Sequence, residues 1–531
     1  MANEYGNYDT WNPLQISDAA FTLSNGNRTV IVVNDSSVRG GIAFGPTGKY
    51  YFEITCVADN TYGTVGISPM SDSGNLLDGG RSSYPSGLYG MDWQDSTGLM
   101  RQNNVTALTG STWTAGDILG WYVDFDNDLV FLSKDGTLEN SATQGEVEAG
   151  TATNAIWDGD LAAHGKFLTF CGCNGGTNMT FTLNTGQTAY NTALYSGYTG
   201  IATQNLPTPS VINYEDEYYI QAGISHSNGS TTAVTLPKTV SGGAMARIKR
   251  TDSSAGTSDW LCFDTIRGTN KAVKWNSQEA EDTSTYDDQN LTGTTLTLPS
   301  DLTTGTYLIE IFYIGSYFQV KTYTGSGANK TESYPASLGS LPGFMAVISR
   351  TATGTFNPAW HNSLTDDTYY LKTDTNAAQA AAATMWNSTA PSATVLALGS
   401  NAESNTNLNT YVAYIWANSG PYAWGAIEGN GNANGSMANV GGLPASVMAK
   451  SIDSTSSWYV GNIKNNPGNV ANQNMVTNST GAIFTEADWD ILSNGFKFRI
   501  ATDPNVAETY IYGTFGIQPM TDGGVNQGRA R

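Results

Sequence analysis

Charge, cysteine and long apolar runs are all scarce in this chain, and each shortage removes a class of protein. Only 13% of its 531 residues are Asp, Glu, Lys or Arg, too few for the solvated faces of long surface helices. Bases are scarcer than acids, 24 against 46, which gives a formal net charge of -22. A phosphate backbone is repelled by that charge, so no nucleic-acid partner is expected. The four cysteines, Cys56, Cys171, Cys173 and Cys262, are too scattered for a disulfide framework, and reduced, mostly buried thiols are expected. The three histidines, His164, His226 and His361, stand in no H-x-x-x-H, H-E-x-x-H or close Cys/His spacing, so no zinc site is expected. No G-x-S-x-G, no phosphate-binding G-x-x-x-x-G-K-[ST] and no dinucleotide fingerprint appears, and the expectation is a protein that is not an enzyme and needs no cofactor. No apolar stretch is long enough to span a bilayer, so no membrane insertion is expected, and the opening Met-Ala-Asn-Glu-Tyr-Gly has neither the basic nor the apolar segment of a secretion signal.

What the chain has instead is 59 glycines together with abundant Asn, Ser and Thr, the composition of short strands joined by tight turns. The expected class is all-β. At this length a single hydrophobic core is excluded and several domains are required. The boundary falls at Asn205-Leu206-Pro207-Thr208-Pro209-Ser210, where two prolines at alternate positions stiffen and extend the backbone. Residues 1–200 then form one domain, 201–212 a Pro-containing linker, and the remainder an array.

In the first domain, Asp124-Phe-Asp-Asn-Asp128 divides two β-rich runs, and a two-residue turn at Asn127-Asp128 would set Phe125 against Val130 and Val123 against Leu132. That register gives one apolar face, extended by Trp121, with Asp124 and Asp126 on the other. Gly48-Lys-Tyr-Tyr-Phe-Glu-Ile-Thr55 and Tyr62-Gly-Thr-Val-Gly-Ile-Ser68 read as further strands. Together with Gly116-Asp-Ile-Leu-Gly120 and Lys134-Asp-Gly136, these runs resemble the SPRY family, and Leu168-Thr-Phe-Cys-Gly-Cys173, Phe181 and Gly186-Gln187 fit its closing strands. The resemblance implies a two-sheet antiparallel sandwich without catalytic residues whose variable loops bind a partner. The flanks, Trp11-Asn-Pro-Leu14, Thr22-Leu-Ser-Asn-Gly26 and Gly197-Tyr-Thr-Gly-Ile running into Asn205-Leu-Pro-Thr-Pro209, resemble SPRY domains of structural proteins in tailed bacteriophages.

The array repeats. An offset of 100 lays Met245-Ala-Arg-Ile-Lys-Arg250 on Met345-Ala-Val-Ile-Ser-Arg350 and Trp260 on Trp360, and a third copy supplies Val447-Met-Ala-Lys450 and Trp458. Each copy closes on Thr-Tyr and an aromatic: Thr306-Tyr307 with Phe312, Thr410-Tyr411 with Trp416, Thr509-Tyr510 with Phe515. A period near one hundred residues means three separately folding small β-sandwiches in series, 213–316, 317–420 and 421–531 with a C-terminal tail, rather than a solenoid. Leu236-Pro237, Leu341-Pro342 and Leu443-Pro444 would open the Met-Ala strand of each unit, where a missing donor costs least. Asn376 followed by Ala377 to Ala383 favours a short helix. Trp260, Trp360 and Trp458 are expected at the packing centre of each unit rather than on a ligand platform. The copies resemble a repeat found beside SPRY domains in marine phage structural proteins.

Two features bear on ligands. The Asp124-to-Asp128 oxygens alternate as if for calcium, but the glycine and distal glutamate of a calcium loop are missing, so hairpin-turn acids are the better account. In Tyr84-Pro-Ser-Gly-Leu-Tyr-Gly-Met-Asp-Trp93, three rings stand among turn formers. Tyr84, Tyr89 and Trp93 could stack on sugar faces while Asp92 meets hydroxyls; core packing competes with this reading at Tyr89 and Trp93. The resulting expectation is a homo-oligomeric virion protein, assembled in the bacterial cytoplasm, that acts as a tail fibre or receptor-binding adhesin for bacterial surface polysaccharide and touches other virion proteins. A capsid decoration or head-fibre protein is the alternative, and a glycan-degrading tailspike a more distant one.

Overall fold

A computed structural model describes residues 7–14, 21–33, 36–59, 62–70, 89–103, 105–173, 178–252 and 258–520. Nearly all regular structure in it is antiparallel β.

The first domain is two facing sheets. One runs in the order Phe21–Ser24, Thr29–Val32, Met179–Asn184, Lys49–Ala58, Ile118–Asp124, Leu129–Lys134, Thr137–Leu138. The other runs Ser36–Arg39, Phe167–Cys173, Gly63–Pro69, Met91–Gln94, Leu99–Gln102, Val105–Thr109. Between them lie Phe52, Trp121, Val123, Val65, Ile67 and Trp93, all fully buried, with Trp121 stacked between Phe52 and Trp157 at ring separations of 5.9 and 5.8 Å. The central hairpin corrects the expected register. Asp124 pairs with Leu129, Val123 with Val130 and Trp121 with Leu132, so residues 125–128 form the loop. A slip of two residues preserves sidedness, so Trp121, Val123, Phe125, Val130 and Leu132 do share the core face. The opposite face is buried too, by Tyr51, Tyr122, Phe131 and Tyr198. Cys56, Cys171, Cys173 and Cys262 are all free and buried.

Residues 218–519 form three units with one plan. The strand that opens on Thr-Tyr, Gly305–Tyr313, Thr410–Ala417 or Thr509–Pro519, is central in each main sheet. Its partners are Ala244–Arg250, Pro342–Ser349 and Gly442–Ser451 on one side and Tyr218–His226, Phe318–Thr324 and Tyr422–Glu428 on the other. Each main sheet has an outer core of its own: Leu296 and Ile309 belong to the first, Leu396 and Ile415 to the second, Phe496 and Tyr512 to the third.

The units do not lie in series. The inner faces of the three main sheets meet in one aromatic cluster spanning Tyr218 to Phe515, and at its centre Phe312 lies 5.4 Å from Trp416 and 5.6 Å from Phe515, with Trp416 and Phe515 6.4 Å apart. The main-chain bonds between units are cyclic. Ile483 N donates to Thr251 O, Glu281 N to Arg350 O and Gln379 N to Ile452 O, joining the third unit to the first, the first to the second and the second to the third. Side chains repeat the circuit: Trp260 Nε1 donates to Val476 O, Trp458 Nε1 to Lys372 O, and Asn357 Nδ2 to Lys274 O. The array is therefore a closed ring.

Strand pairing also corrects the repeat register. Phe312, Trp416 and Phe515 lie opposite Met245, Phe344 and Ser446, so Met245 corresponds to Phe344 and the offset of 100 is one residue long on this strand. One residue turns a strand over. Met245 and Trp260 thus face the common core, whereas Met345 and Trp360 face the second unit's outer core. Trp360 matches Phe263 by its pairing with Met345, and Asn357 fills the place of Trp260 and Trp458. Two local expectations also fail. Pro342 opens its strand, but Pro237 lies within Thr232–Val240, at a break in register, rather than at the start of Ala244–Arg250. Ala377 to Ala383 form no helix: Ala380 and Ala381 pair with Tyr370 and Tyr369, and Gln379 N bonds the third unit, so pairing across units overrides alanine's helix preference.

The first domain docks on the third unit, although the linker leads into the first. Asn439 Nδ2 and Asn494 Nδ2 both donate to Gly41 O, Lys497 Nζ donates to Leu14 O, and Met520 enters the first domain's core.

Candidate functional site

The platform expected at 84–93 is largely internal. Tyr84 lies outside the described residues. Met91–Gln94 is a strand rather than a loop, because Trp93 pairs with Val65 on one side and Met100 on the other. Trp93 is 0% exposed, and its Nε1 donates to Ser111 O at 3.1 Å. Asp92, 1% exposed, meets Arg101 Nη2 at 2.6 Å and accepts from Thr64 Oγ1; burial outweighs these partners and pushes its carboxyl up to about 6. Neither side chain reaches an external ligand from these positions, so the exposed-loop reading is corrected for both. Tyr89 is half-buried, stacks on the His164 imidazole at 3.5 Å, and donates from its hydroxyl to Gly159 O.

The alternating acids of the hairpin are also spoken for. Asp124 is buried, pairs with Lys49 Nζ at 2.8 Å, and accepts from Asp126 N, Asn127 N and Asn127 Nδ2. Those bonds fold the turn back on itself, the role turn acids play. Asp287, Asp288 and Asp301 bring three carboxylates together, but Asp288 already accepts from Ser300 N, and an exposed acidic cluster of this kind is common without an ion.

A concave site in the first domain assembles elsewhere. The segment at 7–9 and the end of the domain at 201–203 run beside each other: Asp9 N donates to Ile201 O and Thr203 N to Asn7 O. Asp9 anchors the pair. Its carboxylate, fully buried, accepts from Gly41 N, Ile42 N and Thr169 Oγ1, yet burial still pushes it up to about 7. Beside this clasp opens a cleft of about 480 Å³ whose walls include Tyr8, Tyr190, Leu194, Thr199, Gln204 and Asn205. Tyr190 is braced by an edge-on contact with Tyr51 and a bond to Tyr51 O, and its loop is held where Asn191 N and Thr192 N donate to Glu53. Asn205 Nδ2 donates to Gly200 O. Gln204 Oε1 is buried and has no hydrogen-bond partner. The cleft therefore offers two tyrosine rings and an exposed leucine, with an amide oxygen lacking a donor in its wall, the combination that suits a polyhydroxylated ring with apolar faces. Sequence alone had no signal for this site, because Tyr8 and Gln204 meet only after closure of the whole domain.

Comparison with known proteins adds little about function. A family model described as "Domain of unknown function (DUF7483)" matches residues 314–519, which is the second and third units of the ring and less than half of the chain. No curated protein matches. Among solved structures, the SPRY domain of human HERC1 is 14% identical, covers 34% of this chain and 99% of its own, and has a TM-score of 0.26. The PSpry domain of TRIM65 is 13% identical over 34% of this chain and 92% of its own, with a TM-score of 0.22. Likenesses this weak carry no functional weight.

Proposed function

We propose that this chain is a non-enzymatic bacteriophage virion protein, a tail fibre or receptor-binding adhesin whose first domain holds host surface polysaccharide while the ring serves as its rigid mount. The observation that carries the reading is the Tyr8–Tyr190 cleft with the unpartnered Gln204 Oε1. Neutral sugars are its natural occupants: their C–H faces stack on tyrosine and their hydroxyls donate to an amide oxygen. The SPRY-like and phage-like sequence features support the setting. One such site is weak, so useful attachment comes from several copies acting together, as in a homo-oligomer or an array of virion subunits.

The test is binding of purified protein to host cells and to their isolated polysaccharide. Tyr8→Ala combined with Gln204→Ala is expected to lower binding roughly tenfold, about 1.4 kcal/mol, with the melting temperature of the ring unchanged. Wild-type protein that fails to bind in oligomeric form overturns the adhesion reading. The capsid-decoration reading then takes its place, and one observation favours it: the first domain is held on the third unit by Asn439, Asn494 and Lys497 rather than swinging on its linker. Imaging the intact particle separates the two by placing the chain at the tail tip or on the capsid.

A further inference from the structure

The ring has three seams between units, and the one joining the first and the third opens into a groove. Where the first unit meets the third, a groove of about 430 Å³ is lined by Tyr219, Gln221, Gly223 and Thr306 from the first and by Lys464, Asn465 and Gln473 from the third. Its cause lies in the backbone. Tyr218–His226 pairs with the central strand up to Gln221 and resumes at Ile224, so Ala222 and Gly223 bulge out, with Gly223 at φ 74°. A bulge of this kind bends a strand and re-aims its side chains. The equivalent strands Phe318–Thr324 and Tyr422–Glu428 keep unbroken register with their partners. Unit repetition therefore does not explain the groove.

Its lining is rich in donors. Asn465 Nδ2 is buried without a partner, while the backbone beneath it is fixed by Asn465 N donating to Asn462 Oδ1 and Gln473 N donating to Asn466 Oδ1. Tyr219 Oη donates to Gln221 Oε1 at 2.9 Å, which occupies that amide's oxygen and turns its NH₂ group to other acceptors. Lys464 is exposed at the mouth. Among the described residues no carboxylate lines the groove, although the chain as a whole is strongly acidic. A buried unpaired donor is costly unless something accepts from it. Two amides and an ammonium beside a tyrosine ring match a ligand that is acceptor-rich, ring-shaped and anionic at one point.

We propose that this seam is a binding site for a sugar bearing a carboxylate, of the uronic-acid type, with Lys464 taking the carboxylate, Asn465 and Gln221 donating to ring or hydroxyl oxygens, and Tyr219 covering one face. The site is distinct from the Tyr8 cleft and independent of it.

Titration of the full chain with methyl glucuronide and with methyl glucoside, followed by calorimetry or NMR, tests this directly, since the two differ only in the carboxylate. The glucuronide is expected to bind roughly tenfold more tightly, the range for a hydrogen bond to a charged group. Lys464→Gln, at an exposed position, is expected to abolish that preference with unchanged melting, and Asn465→Ala to weaken both ligands. Tyr8→Ala is expected to leave glucuronide binding intact, which keeps this site's failure separate from that of the adhesion cleft. No saturable signal with either ligand, equal affinity for both, or a preference that survives Lys464→Gln overturns the proposal.

Discussion

In the first domain two sheets close on a single core, with a smaller aromatic cluster behind one of them. In the ring every main sheet is buried on both faces, one privately and one in common. The difference decides what is a folding unit. The first domain draws its core from its own residues, Met520 excepted. A ring unit alone would expose the face carrying Phe312, Trp416 or Phe515, a patch of aromatic surface that soluble monomers rarely leave uncovered. Repetition in sequence therefore does not mean independence in folding, and three copies share one centre much as subunits of a cyclic oligomer would.

The largest effect should come from cutting the ring. Residues 318–417 alone, or residues 211–417, are expected not to fold cooperatively, whereas residues 211–520 are expected to do so without the first domain. Circular dichroism with thermal melting checks this, and a stable, monomeric single unit would break the comparison. Next in size are substitutions at the centre. Trp416→Ala should cost the ring roughly 3–5 kcal/mol, as for other buried large aromatics. Arg247→Met should cost a similar amount, because Glu310, 0% exposed and paired with Arg247 Nε at 2.7 Å, would lose its cationic partner and keep only the Tyr218 hydroxyl as a donor among the described residues. Replacing Glu310 by Leu in the same chain should recover much of that loss. In chemical denaturation both variants should lower the ring's midpoint and leave the first domain's near its place; equal shifts in both would show a single cooperative molecule.

The smallest effect, and the sharpest contrast, is pH. Burial raises Asp9 to about 7 and Asp92 to about 6, so the folded first domain holds protons the unfolded chain releases from about pH 4 upward, and its stability falls as pH rises to about 7. Burial acts oppositely on His361 in the ring, depressing it to about 4 despite its bond to Tyr512 O. There the unfolded chain binds the extra proton, so ring stability falls as pH drops from about 6.5 to 4. Each effect is on the order of a few kcal/mol. Peptide-level hydrogen exchange, corrected for intrinsic rates, should show opposite pH trends for Phe167–Cys173 and Pro342–Ser349; parallel trends would remove the distinction.

The one-residue misalignment of Met245 with Met345 is instructive. Identical letters in two copies lined up, yet their side chains face different cores, because a strand's sidedness depends on its partner's register and sequence similarity does not. Trp260 and Trp458 are equivalent, and Asn357 does in the second unit what their indoles do elsewhere. Trp93 misled for a related reason. Flanking turn formers made its segment look like a loop, while pairing on both sides made it a strand.

The sequence by itself determined the all-β class, since its glycine, asparagine and β-branched content leaves little else stable. It also determined that Thr306-Tyr307, Thr410-Tyr411 and Thr509-Tyr510 open apolar strands and that Trp260, Trp360 and Trp458 are buried, both of which follow from local patterning. Ring closure, the docking of the first domain on the third unit, and both grooves were decided only in three dimensions. Each joins residues far apart in the chain: Tyr8 with Gln204, Thr306 with Lys464, Gly41 with Asn494. Local preference has no term for such meetings, and the surface that buries most of the aromatic faces at once selects among the arrangements that local preference allows.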